Sequence, residues 1–162
     1  MNKITYKPIG VIHSPFKNVE GMPIQPKAAL GVKGTVELDP AFAPGLKDLE
    51  GFSYIILIYH FHLSRDYSLE VTPFLDDTPR GVFATRAPLR PNQIGLSIVR
   101  LTGVSENILD IEDVDIVDGT PLLDIKPFVP EFDNRQSEHV GWLSGKEGAV
   151  QKMRADKRFD RL

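Results

Sequence analysis

Gly81-Val-Phe-Ala-Thr-Arg-Ala-Pro-Leu-Arg-Pro-Asn-Gln-Ile-Gly-Leu-Ser-Ile-Val99 changes character twice. Val82 and Phe83 form the centre of a short apolar run, expected to be a strand. From Arg86 to Gln93 the chain becomes a stiff connector, because Pro88 and Pro91 each fix φ and each remove a backbone N–H. Alternation then sets in from Ile94 to Leu101. Ile94, Leu96 and Ile98 share one face and Gly95, Ser97 and Val99 the other, the period of a second strand. Arg86 and Arg90 flank Pro88, and Asn92 follows Pro91. Two readings fit this connector. It is a proline-rich turn with solvated arginines, or a rigid frame that holds guanidinium groups at fixed points against an anionic ligand.

Outward from it, the same strand–turn grammar repeats. Phe52-Ser-Tyr-Ile-Ile-Leu-Ile-Tyr-His-Phe-His-Leu63 is the most apolar run, rich in β-branched and aromatic residues, and is expected as a long strand buried on both faces. Ile56, Ile58, His60 and His62 fall on one face; Ile55, Leu57, Tyr59 and Phe61 fall on the other. Ile4 to His13 reads as a strand broken by Pro8 at an edge or bulge. Gly34 to Leu38 is a short strand, and Phe42 to Gly51 has room for one or two helical turns. Ile108 to Glu112 and Val114 to Val117 read as one jogged strand or two short ones. Asp118-Gly-Thr-Pro121 is a tight turn, and Leu122 to Phe128 is a further strand. Lys17 to Ala29, with Gly21, Pro23 and Pro26, is a long irregular loop. Strands at this spacing with almost no helix between them predict a mainly β fold, a single closed or nearly closed β-barrel with a short C-terminal helix. A parallel α/β sheet needs helical crossovers, for which there is no room. The expected organisation is a barrel domain over 1–145 and a basic, helical tail over 146–162.

The chain has 162 residues, 41% hydrophobic and 25% charged, which indicates one soluble globular domain. Its formal charge of −3 provides no global field for nucleic acid. The absence of cysteine excludes disulfides, thiolate zinc sites and a cysteine nucleophile. No apolar run reaches the ~18 residues of a membrane span. The N-terminus enters a strand pattern without a signal peptide, so a cytoplasmic protein is expected. His60 and His62 share a strand face, but only His13 and His139 remain to complete a ligand set, so no metal is expected. From Val104 to Glu138 there are ten acidic residues against two basic ones, usually a solvated face, with Asp118 singled out by its tight turn. The segment 146–162 carries six basic and three acidic residues, consistent with an amphipathic helix or with a contact to RNA phosphate.

Four blocks together resemble one family: Ile9-Gly-Val-Ile-His-Ser-Pro-Phe16, Glu50-Gly-Phe-Ser-Tyr-Ile55 leading to His62, Phe83 to Gly95, and Asp115 to Phe128. They are similar, in the same order, to the signature blocks of S-adenosylmethionine-dependent tRNA (adenosine-37, N-6)-methyltransferases of TrmO type. The resemblance spans roughly residues 4–133. It implies a β-barrel unlike the Rossmann-type methyltransferases, and a homodimer that binds the cofactor near the subunit interface. It also implies methyl transfer to threonylcarbamoyl-adenosine in the tRNA anticodon loop. Carried over by motif, Gln25, Pro26, Lys27, His62, Leu63, Arg86 and Leu96 contact the cofactor, and the block from Asp115 through Asp118, Gly119 and Thr120 to Pro121 closes the pocket. Arg86 would face the cofactor carboxylate, and Asp118 its amino group or ribose hydroxyls. The chain departs from the family pattern at Ala87 and Gln93, and it ends in a basic tail where longer members carry an extension thought to help hold tRNA.

A sulfonium methyl is attacked in line, so the protein mainly positions two reactants. The acceptor nitrogen is weakly nucleophilic and gains from a base. His62 and Asp118 are the candidate catalytic residues, with positioning alone as the alternative. Two rival readings share the fold: a methyltransferase for a non-tRNA acceptor, and a barrel that senses S-adenosylmethionine without catalysis.

Overall fold

Strand alternation in this chain produces a ring. The computed structural model describes residues 2–146 and 153–159. Its strands are β1 (Gly10–His13), β2 (Lys33–Leu38), β3 (Tyr54–His60), β4 (Glu70–Val71), β5 (Arg80–Gly81), β6 (Ile94–Ser105), β7 (Ile108–Glu112) and β8 (Thr120–Pro127). Six of them form a closed barrel in the order β1-β2-β7-β6-β3-β8, with every neighbouring pair antiparallel. β1 meets β8 with Gly10 opposite Leu122 and Ile12 opposite Thr120, which leaves no open barrel edge. β4 and β5 form a separate two-stranded ribbon. The short helix α1 (Pro130–Asp133) follows the last strand.

The interior is filled by one face of each strand. Ile12, Val36, Ile55, Leu57, Val99, Leu109, Ile111 and Leu122 are all essentially inaccessible. Each such aliphatic side chain contributes about 1.5–3 kcal/mol by leaving water. β6 serves two neighbours: Ile94 to Arg100 pair with β3, and Arg100 to Ser105 pair with β7 across an irregularity between Leu101 and Gly103. Such a bulge bends a strand and lets one long segment wrap the wall.

Several elements differ from the sequence expectation. β3 is buried on one face only. Ile55, Leu57 and Tyr59 point inward, while Ile56, Ile58 and His60 are partly covered on the outside. Its continuous apolar run therefore reflects an apolar outer wall as well as the core. Val82–Ala84 is a 3-10 turn rather than a strand, closed by Thr85 N–H donating to the Val82 carbonyl. In the segment Ile4 to His13 only β1 is a strand. Val114 and Ile116 lie outside any strand and are buried as a plug over one barrel end. The opposite end is covered by 3-10 turns at Pro40–Leu46 and Leu49–Gly51, beside a cleft of about 530 Å³ lined by Ile9, Phe42, Phe52 and Asp124.

The helical tail expected over 146–162 falls partly on 147–152 and 160–162, outside the described residues. Over 153–159 the chain runs as an isolated bridge and then a single 3-10 turn, Lys157–Phe159. This segment works as a strap. Gly21 N–H donates to the Ala155 carbonyl and Ala155 N–H to the Met22 carbonyl, both at 2.8 Å. Lys157 reaches Glu20 at 3.4 Å, Arg158 donates to the Pro73 carbonyl at 2.8 Å, and the Phe159 ring meets Phe74 edge-on at 5.0 Å. A second staple lies nearby. Trp142 Nε1 donates to the Ala84 carbonyl at 2.8 Å, and Asp76 bonds both Arg80 and Lys146.

Candidate functional site at one rim of the barrel

Antiparallel order gathers distant motifs at a single rim. The ends of β1, β3 and β7 and the starts of β2, β6 and β8 all lie there. The loops at this rim carry Gln25, His62, Arg86 and the stretch from Asp115 to Gly119. Strand ends can deliver side chains to one place even when they are far apart in sequence, which is how barrels commonly build sites.

The proline-framed loop divides its two arginines. Arg90 turns inward: its Nη1 donates to the carbonyls of Val82 at 3.1 Å and Thr85 at 2.9 Å, and its guanidinium lies over Phe83 at 5.8 Å. It ties the loop to itself. Arg86 is exposed and donates from Nη1 to Gln25 Oε1 at 3.0 Å. That bond joins the 3-10 turn Pro26–Ala28, with Gln25 at its N-cap, to the Arg86 loop. Lys27 lies exposed on this turn.

Below Arg86 lies a buried polar chain. Ser97 Oγ donates to Asp115 Oδ1 at 2.6 Å, and Tyr59 Oη is 3.0 Å from Ser97 Oγ. Ser97 has one proton and gives it to Asp115, so Tyr59 is the donor of the second bond. Burial pushes the Asp115 carboxyl up to about 6, opposed by the Ser97 hydrogen bond, by its own backbone N–H and by the Arg86 charge. Burial, and then the Asp115 charge, raise the Tyr59 phenol well above its ordinary value. Gly95 makes room for this ring, since a Cβ there would collide with the Tyr59 ring atoms.

The other predicted residues form two further groups. Thr120 Oγ1 donates to the Val117 carbonyl at 2.7 Å and lies 3.3 Å from His62 Nδ1. Its proton is thus committed, so Nδ1 of His62 is the donor and Nε2 keeps its lone pair. Burial, and then neighbouring His60, lower the His62 pKa. Asp118 is clamped separately. Oδ2 meets Lys17 Nζ at 2.6 Å, Oδ1 accepts from Ser14 N–H at 3.1 Å, and His13 Nδ1 is 3.5 Å away. The Lys17 bond, then that of Ser14, holds its carboxyl below the usual range. Gly119 sits at φ +78, where a side chain would be strained, and its N–H donates to the Ile12 carbonyl. Pro121 pairs with Val11 at the barrel seam.

Leu63 and Leu96 are exposed, and Leu96 lies on the outer wall between Ile94 and Ile98. The structure therefore brings Gln25, Arg86 and Asp115 together, and His62 with Thr120. Asp118 stands apart with Lys17, and Leu96 faces outward. Tyr59 and Ser97 are the site-forming residues that sequence reasoning missed. The available signal was a serine on the strand face that also carries Gly95 and Val99. Among the described residues no cluster of three or more His, Asp or Glu side chains suits a metal, and no helix is long and apolar enough to cross a membrane.

Fold and rim together define a closed antiparallel β-barrel with a loop-built polar site at one end, without the strand–turn–helix phosphate cradle of Rossmann proteins. The chain belongs to the tRNA-methyltransferase O N-terminal domain family, whose model matches residues 11–134. It is 57% identical over 156 residues to a Pyrococcus abyssi protein named a probable S-adenosyl-L-methionine-binding protein, covering 96% of this chain and 85% of that one. It is 37% identical over 140 residues to the tRNA (adenine(37)-N6)-methyltransferase of Escherichia coli, covering 80% of this chain and 60% of the relative. The crystal structure of TrmO from Pseudomonas aeruginosa superimposes with a TM-score of 0.74 at 38% identity, over 87% of this chain and 63% of that one. This chain thus spans about three-fifths of the length of those two methyltransferases.

Proposed function

We propose that the protein is a cytoplasmic S-adenosylmethionine-dependent methyltransferase that adds a methyl group to N-6 of threonylcarbamoyl-adenosine at position 37 in the tRNA anticodon loop. The observation that carries this reading is the family match over 11–134, which takes in every rim residue described above. The activity named for the Escherichia coli relative supplies the reaction type.

The rim residues suit the cofactor. Arg86 is exposed and spends one donor on Gln25, leaving the rest of its fork for a carboxylate. Leu63, exposed just past the end of β3, offers apolar surface to a base or methylene chain. Bound there, S-adenosylmethionine supplies an electrophilic methyl group. The protein's share is to orient the acceptor nitrogen, exclude water and receive a proton. An anticodon-loop base is already single-stranded, which lowers the cost of turning it into the site.

The working unit is a homodimer. Ile94, Leu96 and Ile98 form an exposed apolar stripe on the outer wall, continuous with Ile56 and Ile58 of β3. A second copy laid on that stripe would both cover it and enclose the cofactor site. Sedimentation of Leu96→Asp beside the parent protein tests this; a parent that stays monomeric at micromolar concentration refutes it.

The test of function is mass spectrometry of nucleosides from tRNA incubated with protein and cofactor. The expected result is one added methyl on threonylcarbamoyl-adenosine with stoichiometric S-adenosylhomocysteine. Turnover without tRNA methylation would point to another acceptor. Cofactor binding with no turnover would leave a sensor.

A further inference from the structure

The rim contains one buried chain of hydroxyls, and its endpoint is a carboxylate whose only side-chain hydrogen-bond donor among the described residues is Ser97. Resting on the methyltransferase reading above, we propose that Asp115 is the catalytic proton acceptor for the methyl-accepting nitrogen, and that Ser97 and Tyr59 are its positioning residues.

Three observations carry the assignment. First, the chain has a fixed direction: Tyr59 donates to Ser97, and Ser97 donates to Asp115 Oδ1. This pins the carboxyl rotamer and leaves Oδ2 with no side-chain donor. A preorganised carboxylate with a single side-chain donor is what proton abstraction needs, because one hydrogen bond holds the group in place while the other oxygen competes with no side chain for the proton. Second, Ser97 and Tyr59 are almost fully buried, whereas Asp115 keeps an accessible edge, so of the three residues Asp115 is the one that reaches the surface. Third, Arg86 on the facing loop acts electrostatically on both Asp115 and Tyr59, which sets the carboxylate beside the proposed cofactor anchor rather than elsewhere on the barrel.

The two carboxyl and imidazole rivals are less suited. Asp118 has both oxygens occupied, one by Lys17 and one by the Ser14 amide, and its depressed pKa makes it a weak acceptor. His62 is tied to Thr120 through Nδ1, and burial makes its remaining nitrogen less basic. Burial makes Asp115 more basic, the direction a base working near neutrality requires.

In the step itself, a nitrogen–carbon bond forms as the carbon–sulfur bond breaks, and the latter's electron pair leaves on sulfur as a neutral thioether. The nitrogen's proton passes to Asp115 Oδ2, while the electrons of that N–H bond remain on nitrogen. The proton then leaves through the accessible edge to water. Among the described residues, the charged group acting on Asp115 is Arg86 from its loop, and the titratable group that the Asp115 charge acts on in turn is Tyr59 from β3.

The experiment has two parts. In the protein without cofactor, carbon-13 NMR of labelled aspartate should show one carboxyl titrating near neutrality, absent from Asp115→Asn and shifted upward in Ser97→Ala, which loses a hydrogen bond to the charged form. With saturating cofactor and threonylcarbamoylated tRNA, single-turnover methyl transfer should fall about 100-fold or more in Asp115→Asn, the usual contribution of a general base. The acid limb of the rate profile should move upward in Ser97→Ala, and His62→Gln should leave that limb in place. Ser97→Ala preserves the carboxylate, so it remains decisive if Asp115→Asn fails to fold. Transfer by Asp115→Asn at the parent rate, or an acid limb unmoved by Ser97→Ala, overturns the assignment while the methyltransferase reading stands. A parent protein that binds cofactor and never transfers a methyl group overturns both.

Discussion

Gly95→Ala is the sharpest structural test of the rim. The added methyl would sit inside the Tyr59 ring, so one of the two must move. The ring has little freedom, because it is 5% exposed and packs edge-on against Phe61 at 5.5 Å. Overpacking of a filled interior costs about 1–3 kcal/mol. A displaced ring also pulls its hydroxyl from Ser97, now at 3.0 Å, which adds about 0.5–1.5 kcal/mol for a lost hydrogen bond. The expected destabilisation is therefore roughly 1.5–4.5 kcal/mol, the sum of those two terms. For a chain of this size it lowers Tm by roughly 3–18 °C. Urea unfolding and calorimetry measure it directly. A cycle with Tyr59→Phe separates the parts, because that background has already lost the hydroxyl and should show about 1 kcal/mol less coupling. A Gly95→Ala protein within 0.5 kcal/mol of the parent, about the noise of a neutral surface change, would mean that the ring relaxes freely and the relay is not a fixed object.

Three further outcomes follow from named contacts. Asp115 has a native pKa raised from 3.8 to about 6, so its contribution falls as pH rises between those values; Asp115→Asn should match the parent below pH 4 and exceed it by up to about 3 kcal/mol at pH 8, as read by urea unfolding across pH. Arg86→Ala should weaken S-adenosylmethionine binding by about 1.5–3 kcal/mol, the range for a charge-assisted bond, and unchanged affinity by calorimetry would remove Arg86 from the site. Deleting residues 153–162 should speed amide exchange at Gly21, whose N–H is capped by the Ala155 carbonyl, and should weaken cofactor binding by loosening the Gln25 loop; a protected Gly21 in the truncated protein would refute the strap. The same truncation tests the RNA-phosphate reading of the tail, since Lys157 and Arg158 already have protein partners, and a flattened salt dependence of tRNA binding is the signature of lost phosphate contacts.

Period-two patterning made the barrel legible, because alternation survives in β3 and β6 whatever their neighbours are. Which face of β6 is interior was not legible. The larger side chains Ile94, Leu96 and Ile98 turn outward, and the interior takes Gly95 and Ser97 because Tyr59 from the adjacent strand fills that space. That choice depends on a cross-strand partner 36 residues upstream of Gly95. The Val82–Phe83 segment misleads for a similar reason. Its composition suits a strand, but Arg90 captures the Val82 and Thr85 carbonyls and winds it into a turn. The family blocks pointed to Gln25, Arg86 and Asp115, which the fold does gather. Ser97 and Tyr59 lay hidden within strand patterns, because a hydroxyl at one interior position has meaning only beside the carboxylate it serves.

Barrel closure has a consequence for how the protein acquires its structure. The seam joins Gly10 to Leu122 and Ile12 to Thr120, so the first strand made must wait, unpaired on one side, until the last barrel strand has emerged. Neither β1 nor the Gln25 loop can be locked early, and the rim depends on contacts between residues about a hundred positions apart. Pairings of such sequence separation form slowly, since the loop entropy is lost before the contacts repay it. The hairpin of β6 and β7, joined by the short turn at Glu106 and Asn107, is the local piece able to form first. Folding should therefore proceed from that hairpin outward, with β3 and β2 added on either side, and the ring sealing last.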